Sequence, residues 1–522
     1  MSLLGIDVGT SRCKAAVFSE EGDLLSFAYE EYHIASPKPG WAELDTHEIW
    51  EKTKRVIQQV VSDPAVAHDP VKALAVTSLG EALVPVTEDR RILGPSILNF
   101  DSRGKEYLAA LGEALPAERW YAINGNVPGN HYSLPKLLWI RDNLPDMYRE
   151  THKFLLWGSF VAFMLGADPV VDYSLANRTL LFDLGAEDWS EEILGLAGID
   201  RAKLPGLARS GEVIGTVPRY VAGELGLPTG TLIVAGAHDQ CAAAVGCGAI
   251  EEGTSAYGMG TFICITPVFR ERRDPRVMIE RGLCTEHHAV PGRFVTFIYN
   301  QAGSLVRWFR DTFAGAEHRE AAAEGRDIYP ALFAEMPEGP SGLIVIPHFT
   351  STGPPSFISD SCGVIAGLRL ETPRGAILKG ILEGITFYLQ ECLETLPPTG
   401  IGIAEFRAVG GGSRSDPWVQ LSADILGRPF LRPEITEAGV LGAAIIAGVG
   451  AGIFSSFAEG VEGMVRIERV FEPDPRWGER YRDRYREYKR LWPIFYEHLR
   501  TLYRRGPANG FPPPLRDRRP IP

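Results

Sequence analysis

Leu3-Leu4-Gly5-Ile6-Asp7-Val8-Gly9-Thr10-Ser11-Arg12-Cys13-Lys14, at the start of the chain, is the stretch around which the rest is organised. An apolar run ends in an acid, Gly-Thr-Ser turns the backbone, and a second β-prone run, Ala15-Ala16-Val17-Phe18, follows at once. The segment therefore reads as a β-hairpin. Gly9 presents no side chain to an approaching anion, and successive amide N–H groups with the hydroxyls of Thr10 and Ser11 can converge on phosphate oxygens. Lys14 adds a point charge. Asp7, at the end of a buried strand, suits the hydrated magnesium that accompanies a nucleotide, because magnesium prefers one or two carboxylates plus waters. A glycine-turn hairpin with a solvated acid fits the same residues, and this stretch alone does not separate the two readings.

The chain has 522 residues, 45% hydrophobic and 23% charged, which is enough for two or more globular domains with a large core. A net charge of −13 argues against a protein that wraps nucleic acid or lies on anionic lipid, since either requires a basic face. No apolar run approaches the roughly 20 residues that cross a bilayer, and the chain opens on a strand, so a cytoplasmic protein is expected. The seven cysteines are scattered and never spaced Cys-x-x-Cys, which points to buried thiols and to neither a disulfide framework nor zinc.

A third strand is expected over Leu24 to Tyr32, completing a meander. Asp45-Thr46-His47-Glu48 has the form of a capping box, with Asp45 as N-cap and Glu48 as its reciprocal partner, before a helix through Val60 with apolar Ile49, Val56, Ile57 and Val60. The strand Val71 to Val76 delivers Ser78-Leu79-Gly80-Glu81 to its C-terminal end, where open α/β sheets bind ligands. Asp101 and Arg103 have the donors and acceptors to hold sugar hydroxyls, and fit a surface ion pair better. The β-run Leu232 to Ala237 ends in His238-Asp239-Gln240 before a small-residue helix, which places the Asp239 carboxylate to accept a proton from an alcohol. His238 is expected to be a satisfied wall residue.

From Ser255 to Thr266 the opening pattern returns, with Gly260-Thr261 at the turn between two β-runs. That echo predicts two related domains, each offering a phosphate-facing hairpin to a shared cleft. Further on, Gly303 opens a helix, and Gly410-Gly411-Gly412-Ser413-Arg414-Ser415 lies between a strand and a helix, where a helix N-terminus favours an anion. The small-residue helix from Gly439 to Gly452 is expected to pack beneath this loop. Charged and aromatic helices run from Trp477 to Arg505, and a Pro/Arg-rich tail closes the chain.

Taken together, these motifs resemble the FGGY carbohydrate kinases, within the actin-like ATPase superfamily. The match spans residues 3 to 455 and rests on the opening hairpin, Gly40-Trp41-Ala42-Glu43, Lys136-Leu137-Leu138-Trp139, Gly236-Ala237-His238-Asp239-Gln240, Gly260-Thr261, Gly363 to Leu368, Gly410-Gly411-Gly412 and Glu437 to Ala443, in that order. The resemblance implies an α/β fold of two ribonuclease-H-like domains around a central cleft, over 1–249 and 250–460, followed by C-terminal helices over 461–505 and the tail over 506–522. It implies ATP and Mg2+ as cofactors and a small sugar or polyol as partner, without nucleic acid or membrane, and with a homodimer left open. Asp239 falls on the family's catalytic base and Asp7 on its magnesium-associated acid, acting through water. Gly9, Thr10, Ser11, Lys14, Gly260, Thr261, Gly303, Gly410, Gly411 and Ser415 fall on its nucleotide and phosphate contacts. Glu81, Asp101, Arg103, His131 and Gln240 fall on the acceptor side.

Ser78-Leu79-Gly80-Glu81 matches neither the Gln-Met-His-Gly of xylulose kinases nor the Gln-Arg-Glu of glycerol kinases, and His131 stands where glycerol kinases carry a tyrosine. These departures leave the kinase class intact and the acceptor open. An actin-like or chaperone-like ATPase shares the phosphate hairpins but needs no pocket of Glu81, Asp101, Arg103 and Asp239. A Rossmann dehydrogenase fits poorly, because the first turn leads into a strand and no Gly-x-Gly-x-x-Gly follows it.

Overall fold

The computed structural model describes residues 1–358 and 362–505. The expected tail over 506–522 lies outside them.

The opening stretch forms strands Ser2–Val8 and Arg12–Ser19, paired antiparallel so that Asp7 faces Lys14. Leu24–Glu31 completes the meander, and Val71–Ser78 and Leu232–His238 extend the sheet by parallel pairing. Val213–Thr216 closes the far edge. Side chains alternate along the first strand. Leu4, Ile6 and Val8 enter a core shared with Val56, Ile57 and Val60 of the helix Thr46–Val61, and each contributes about 1.5–3 kcal/mol by leaving water. Leu3, Gly5 and Asp7 point to the opposite face.

That opposite face is covered by a helix from the far end of the chain, Ala438–Gly450. The contact is close enough that a Cβ on Gly5 would lie 1.9 Å from the Val440 carbonyl oxygen, so the glycine is required by the approach of the helix. Ala438–Gly450 also crosses Asp239–Gly246 glycine against glycine: a Cβ on Gly442 would lie 1.8 Å from Ala242 O, and one on Gly246 2.0 Å from Ala438 O. The expectation that this small-residue helix lies beneath the triple-glycine loop is corrected. Its small side chains serve contact with the first sheet and with a second helix.

The second sheet repeats the first. Gly253–Met259 and Phe262–Phe269 form the hairpin, Ile298–Gln301 the third antiparallel strand, Ile403–Val409 and Phe430–Pro433 the parallel strands, and Ile467–Phe471 the antiparallel edge. The internal echo in the sequence is thus a duplicated ribonuclease-H-like sheet. Ala244, Ala256, Val409 and Ala438 meet in one apolar cluster, which places the two glycine-rich helices between the sheets. Helices Arg374–Leu393 and Asp416–Leu426 cover the outer face of the second sheet, and the C-terminal segment is one helix, Pro475–Arg505, where several were expected.

Two local expectations change. Asp45 accepts from Glu48 N at 3.0 Å as an N-cap, but the Glu48 carboxylate takes Lys52 Nζ at 2.6 Å and does not reach back, because the lysine one turn on offers a charge. Among the described cysteines, Cys13, Cys241, Cys247 and Cys392 are buried, whereas Cys264, Cys284 and Cys362 are half-buried.

Candidate active site

The parallel strands of the first sheet end in register, Val8 beside Ser78 and Ser78 beside His238. Gly9, Leu79 to Glu81 and Asp239 therefore leave the sheet at one edge. The second sheet presents the Gly260-Thr261 turn and the Gly410 loop at its corresponding edge, where a Cβ on Gly410 would lie 3.1 Å from Met259 O. The segment Thr436 to Gly439 joins the edges. Thr436 O accepts from Gly410 N at 3.0 Å, Glu437 Oε2 accepts from Lys14 Nζ at 2.7 Å, and a Cβ on Gly439 would stand 3.2 Å from Asp7 Oδ2.

Asp239 is the first residue of its helix. Its Oδ1 lies 3.2 Å from His238 Nε2 and accepts from Gln240 Nε2 at 3.2 Å. The side chain is 29% exposed, at the mouth of the crevice. Burial, with the nearby Asp7 and Glu81 carboxylates adding to it, pushes the Asp239 carboxyl up to about 7. A carboxyl that titrates there is matched to taking a proton from an alcohol near neutral pH.

Asp7 is buried, and its Oδ1 has no hydrogen-bond partner among the described residues, while Oδ2 lies 3.4 Å from Lys14 Nζ. Burial raises the Asp7 carboxyl and Lys14 opposes the shift. Burial would likewise raise Glu437, but the Lys14 ammonium outweighs it and holds Glu437 low. Lys14, expected to add a point charge on the phosphate side, is held between the Asp7 and Glu437 carboxylates. Thr10 and Ser11 remain open at the turn. Gly9 N donates to Arg12 O at 3.0 Å and Gly260 N to Phe262 O at 2.9 Å, so each turn is closed by its glycine amide, the second over one residue fewer. Gly303 packs on the second turn, where a Cβ would meet Gly260 O at 2.4 Å. Gly411 faces open space, and Ser415 Oγ is buried without a partner among the described residues.

The acceptor side gathers around a residue the sequence reading passed over. Arg178 donates Nε to Glu81 Oε1 at 2.7 Å and Nη1 to Glu286 Oε1, and its guanidinium lies over the Tyr132 and Phe297 rings at 5.2 and 5.6 Å. Despite its burial, the Glu286 and Glu81 carboxylates hold it firmly charged. Glu81 sits in the left-handed region, φ 66°, and its carbonyl accepts from Ser133 Oγ at 2.6 Å. A side chain is rarely kept there unless its surroundings over-determine it, as at ligand sites. Gly80 connects this cluster to the base: a Cβ on it would lie 3.1 Å from Arg178 Cγ and 3.2 Å from His238 Nε2.

His131 packs at a tilt against Tyr132, ring centroids 4.0 Å apart, and burial with the charges of Arg178 and Lys136 pushes its imidazole down to about 3. His238 is the expected wall residue, edge-on to Phe297 at 5.4 Å and held neutral by burial and by Arg178. It is not satisfied, however, since Nδ1 has no partner among the described residues.

Asp101 and Arg103 stand apart. Asp101 is wholly buried, accepting from Ala42 N at 2.6 Å and from Arg103 N, Nε and Nη2 at 2.7, 3.0 and 2.6 Å. Arg103 also reaches Glu43 at 2.6 Å and stacks 3.9 Å over Trp41. The expected surface ion pair is an interior one, with its polar atoms spent on the chain. Asn130, beside His131, donates its Nδ2 to Asp101 O at 2.7 Å and links the pair to the acceptor side.

Arg178, Glu286 and Glu437 are the polar residues that sequence reasoning missed. Glu286 left a faint signal, an acid inside the short β-prone run Cys284-Thr285-Glu286-His287. Arg178 left none. Glu437 lay in a recognised motif without a role.

Two ribonuclease-H-like sheets with paired turns and a carboxylate at a strand end define the two-domain actin-like ATPase fold. The chain belongs to the FGGY family of carbohydrate kinases: that family's N-terminal domain matches residues 2–246 and its C-terminal domain residues 270–451. It is 27% identical to the xylulose kinase of Bacillus subtilis, over 96% of this chain and 97% of that one. It is 30% identical to the glycerol kinase of Thermococcus gammatolerans, over 90% and 93%. The crystal structure of xylulose kinase from Rhodospirillum rubrum superposes with a TM-score of 0.83 at 26% identity, over 96% of this chain and all of that one. The chain is therefore a carbohydrate kinase.

Proposed function

We propose that this kinase transfers the γ-phosphoryl group of ATP to a hydroxyl of a small sugar or polyol, with Asp239 as the base. The observation that carries the reading is the Asp239 carboxyl, pushed up to about 7 at a strand end between Glu81 on one side and the Asp7 turn on the other. Phosphoryl transfer asks little covalent chemistry of the protein, so positioning and charge neutralisation supply most of the acceleration. Asp239 accepts the hydroxyl proton as that oxygen moves onto phosphorus, and Gln240 fixes the carboxylate's orientation. The turns at Thr10-Ser11 and Gly260-Thr261 offer amides and hydroxyls to the phosphates. The Gly410 to Gly412 loop, with Ser415, takes the nucleoside.

Magnesium fits the site, because Asp7 Oδ1 is a buried acceptor without a partner among the described residues. Asp7 would hold the ion through water, and the bound ion supplies positive charge to the phosphates. Glu81, His131 and Gln240 line the acceptor side, while Asp101 and Arg103 act from behind it by fixing the wall. We take pentuloses as the first acceptors to try, since xylulose kinases are among the relatives, and read the enzyme as one of carbohydrate catabolism in the cytoplasm.

The test is ADP release by the full chain over pentuloses, hexuloses, alditols and glycerol, with magnesium present and then chelated. Acceptor-dependent release that stops on chelation is expected. ATP hydrolysis indifferent to every acceptor would refute the reading.

A further inference from the structure

Resting on the kinase reading above, we infer that the acceptor is an uncharged polyol or ketose, and that Glu286 sets this preference by occupying Arg178. A sugar acid of the same shape would bring a carboxylate into the pocket and would need a cation to receive it. Arg178 is the cation of the pocket wall, and both ends of its guanidinium are already taken by Glu81 and Glu286.

The next two cations are equally committed. Lys136 Nζ donates to Asp101 O and Arg103 O, each at 2.7 Å, and Arg103 is bound by Asp101 and Glu43. Lys14, at the opposite end of the crevice, is held by Asp7 and Glu437. Glu81 and Glu286 thus share one guanidinium, the Asp239 carboxylate near Glu81 adds a further negative charge, and the imidazoles of His131 and His238 are neutral. An added carboxylate meets like charge in a site of low polarity, whereas hydroxyls meet acceptors.

Glu286 is the informative member because it comes from another part of the chain. It belongs to the short strand Glu286–His287 of the second sheet, and reaches Arg178 across the boundary between the two halves. It is fully buried, and its Oε2 has no hydrogen-bond partner among the described residues. Glu81 alone would hold Arg178 by one edge and leave Nη1 free for a ligand carboxylate. Glu286 closes that edge.

The experiment compares shape-matched pairs, xylitol with xylonate and sorbitol with gluconate, alongside xylulose and ribulose. It follows ADP release by the full chain and by Glu286→Gln, with thermal melting to establish that the variant is folded. In the wild type, kcat/KM for the best neutral acceptor should exceed that for any acid by about a hundredfold or more. Glu286→Gln, which keeps the side chain's size but removes the negative charge that neutralises Arg178, should narrow that gap by about tenfold.

A wild-type preference for the acid member overturns the inference and leaves the kinase reading standing. A folded Glu286→Gln protein with an unchanged gap overturns the role of Glu286. If the variant does not fold, the wild-type comparison decides alone. Turnover of neither class removes the kinase reading, and this inference with it.

Discussion

The pH dependence of turnover is the sharpest consequence of the Asp239 environment. Its carboxyl titrates at about 7, so it is half ionised there, and only the ionised form accepts the acceptor's proton. One unit below, roughly a tenth of the molecules carry an active base, so kcat/KM should fall about tenfold per unit below pH 7 and level off above 8. Asp7 is one cause of the upward shift, so Asp7→Asn should move the midpoint to lower pH even as it weakens nucleotide use. Asp239→Asn should remove the pH dependence and about 10²- to 10⁴-fold of kcat, while ATP affinity stays near the wild-type value. The same variant carries a stability readout. The folded protein binds this proton more tightly than the unfolded chain, whose aspartate titrates near 3.8, so ionisation costs stability as pH rises from about 4 through 7. The shift corresponds to about 4 kcal/mol at most, which the 29% exposure of the side chain reduces to about 2 kcal/mol. Asp239→Asn should therefore melt higher than wild type at pH 8 and equally at pH 4. Coupled ADP release from pH 5.5 to 8.5 and melting at the two extremes check both. A flat wild-type profile, or near-normal turnover by Asp239→Asn, would refute the assignment.

Lys14→Met removes the charge between Asp7 and Glu437. It should raise the KM for ATP by about tenfold and leave that for the acceptor nearly unchanged, as initial rates with either substrate varied will show. Asp101→Ala leaves Arg103 buried without its main partner, a loss of about 3–5 kcal/mol, so denaturant melting should register it before acceptor affinity does. His348 is buried between the rings of Tyr388 and Trp492, 4.7 and 4.5 Å away, and burial pushes its imidazole down to about 3. The unfolded chain protonates this histidine from pH 6.5 downward while the folded one does not, so stability is lost as pH falls. His348→Phe should recover about 1.4 kcal/mol at pH 5.5 relative to pH 8, measured by urea titration at both.

What the sequence made legible was what neighbours in sequence build. The hairpin at Asp7 to Lys14 and its echo at Gly260-Thr261 follow from a period of two on either side of a small turn, and both are present. Asp239 could be placed because a β-run and a small-residue helix flank it directly. Arg178 was invisible because its partners Glu81 and Glu286 lie 97 and 108 residues away, so no local pattern marks it. The Lys14–Glu437 pair spans 423 residues, so the sequence showed the lysine's charge but not its partner. Asp101 and Arg103 misled for a related reason: an acid and a base two apart suggest a solvated pair, and only Trp41 and Trp139, brought in from both sides, turn it inward.

The helix Ala438–Gly450 gives the order of synthesis a physical meaning. When the ribosome has finished Gly246, the first sheet is complete, yet the face carrying Leu3, Ala16, Ala73 and Val234 has no cover. Roughly 200 further residues must emerge before that helix arrives, which at about 5–20 residues per second is about 10–40 s. Throughout that interval the nascent first half carries a bare greasy plane, a natural landing place for chaperones. A gene cut after the first domain would yield a polypeptide missing its own lid, with little prospect of staying dispersed.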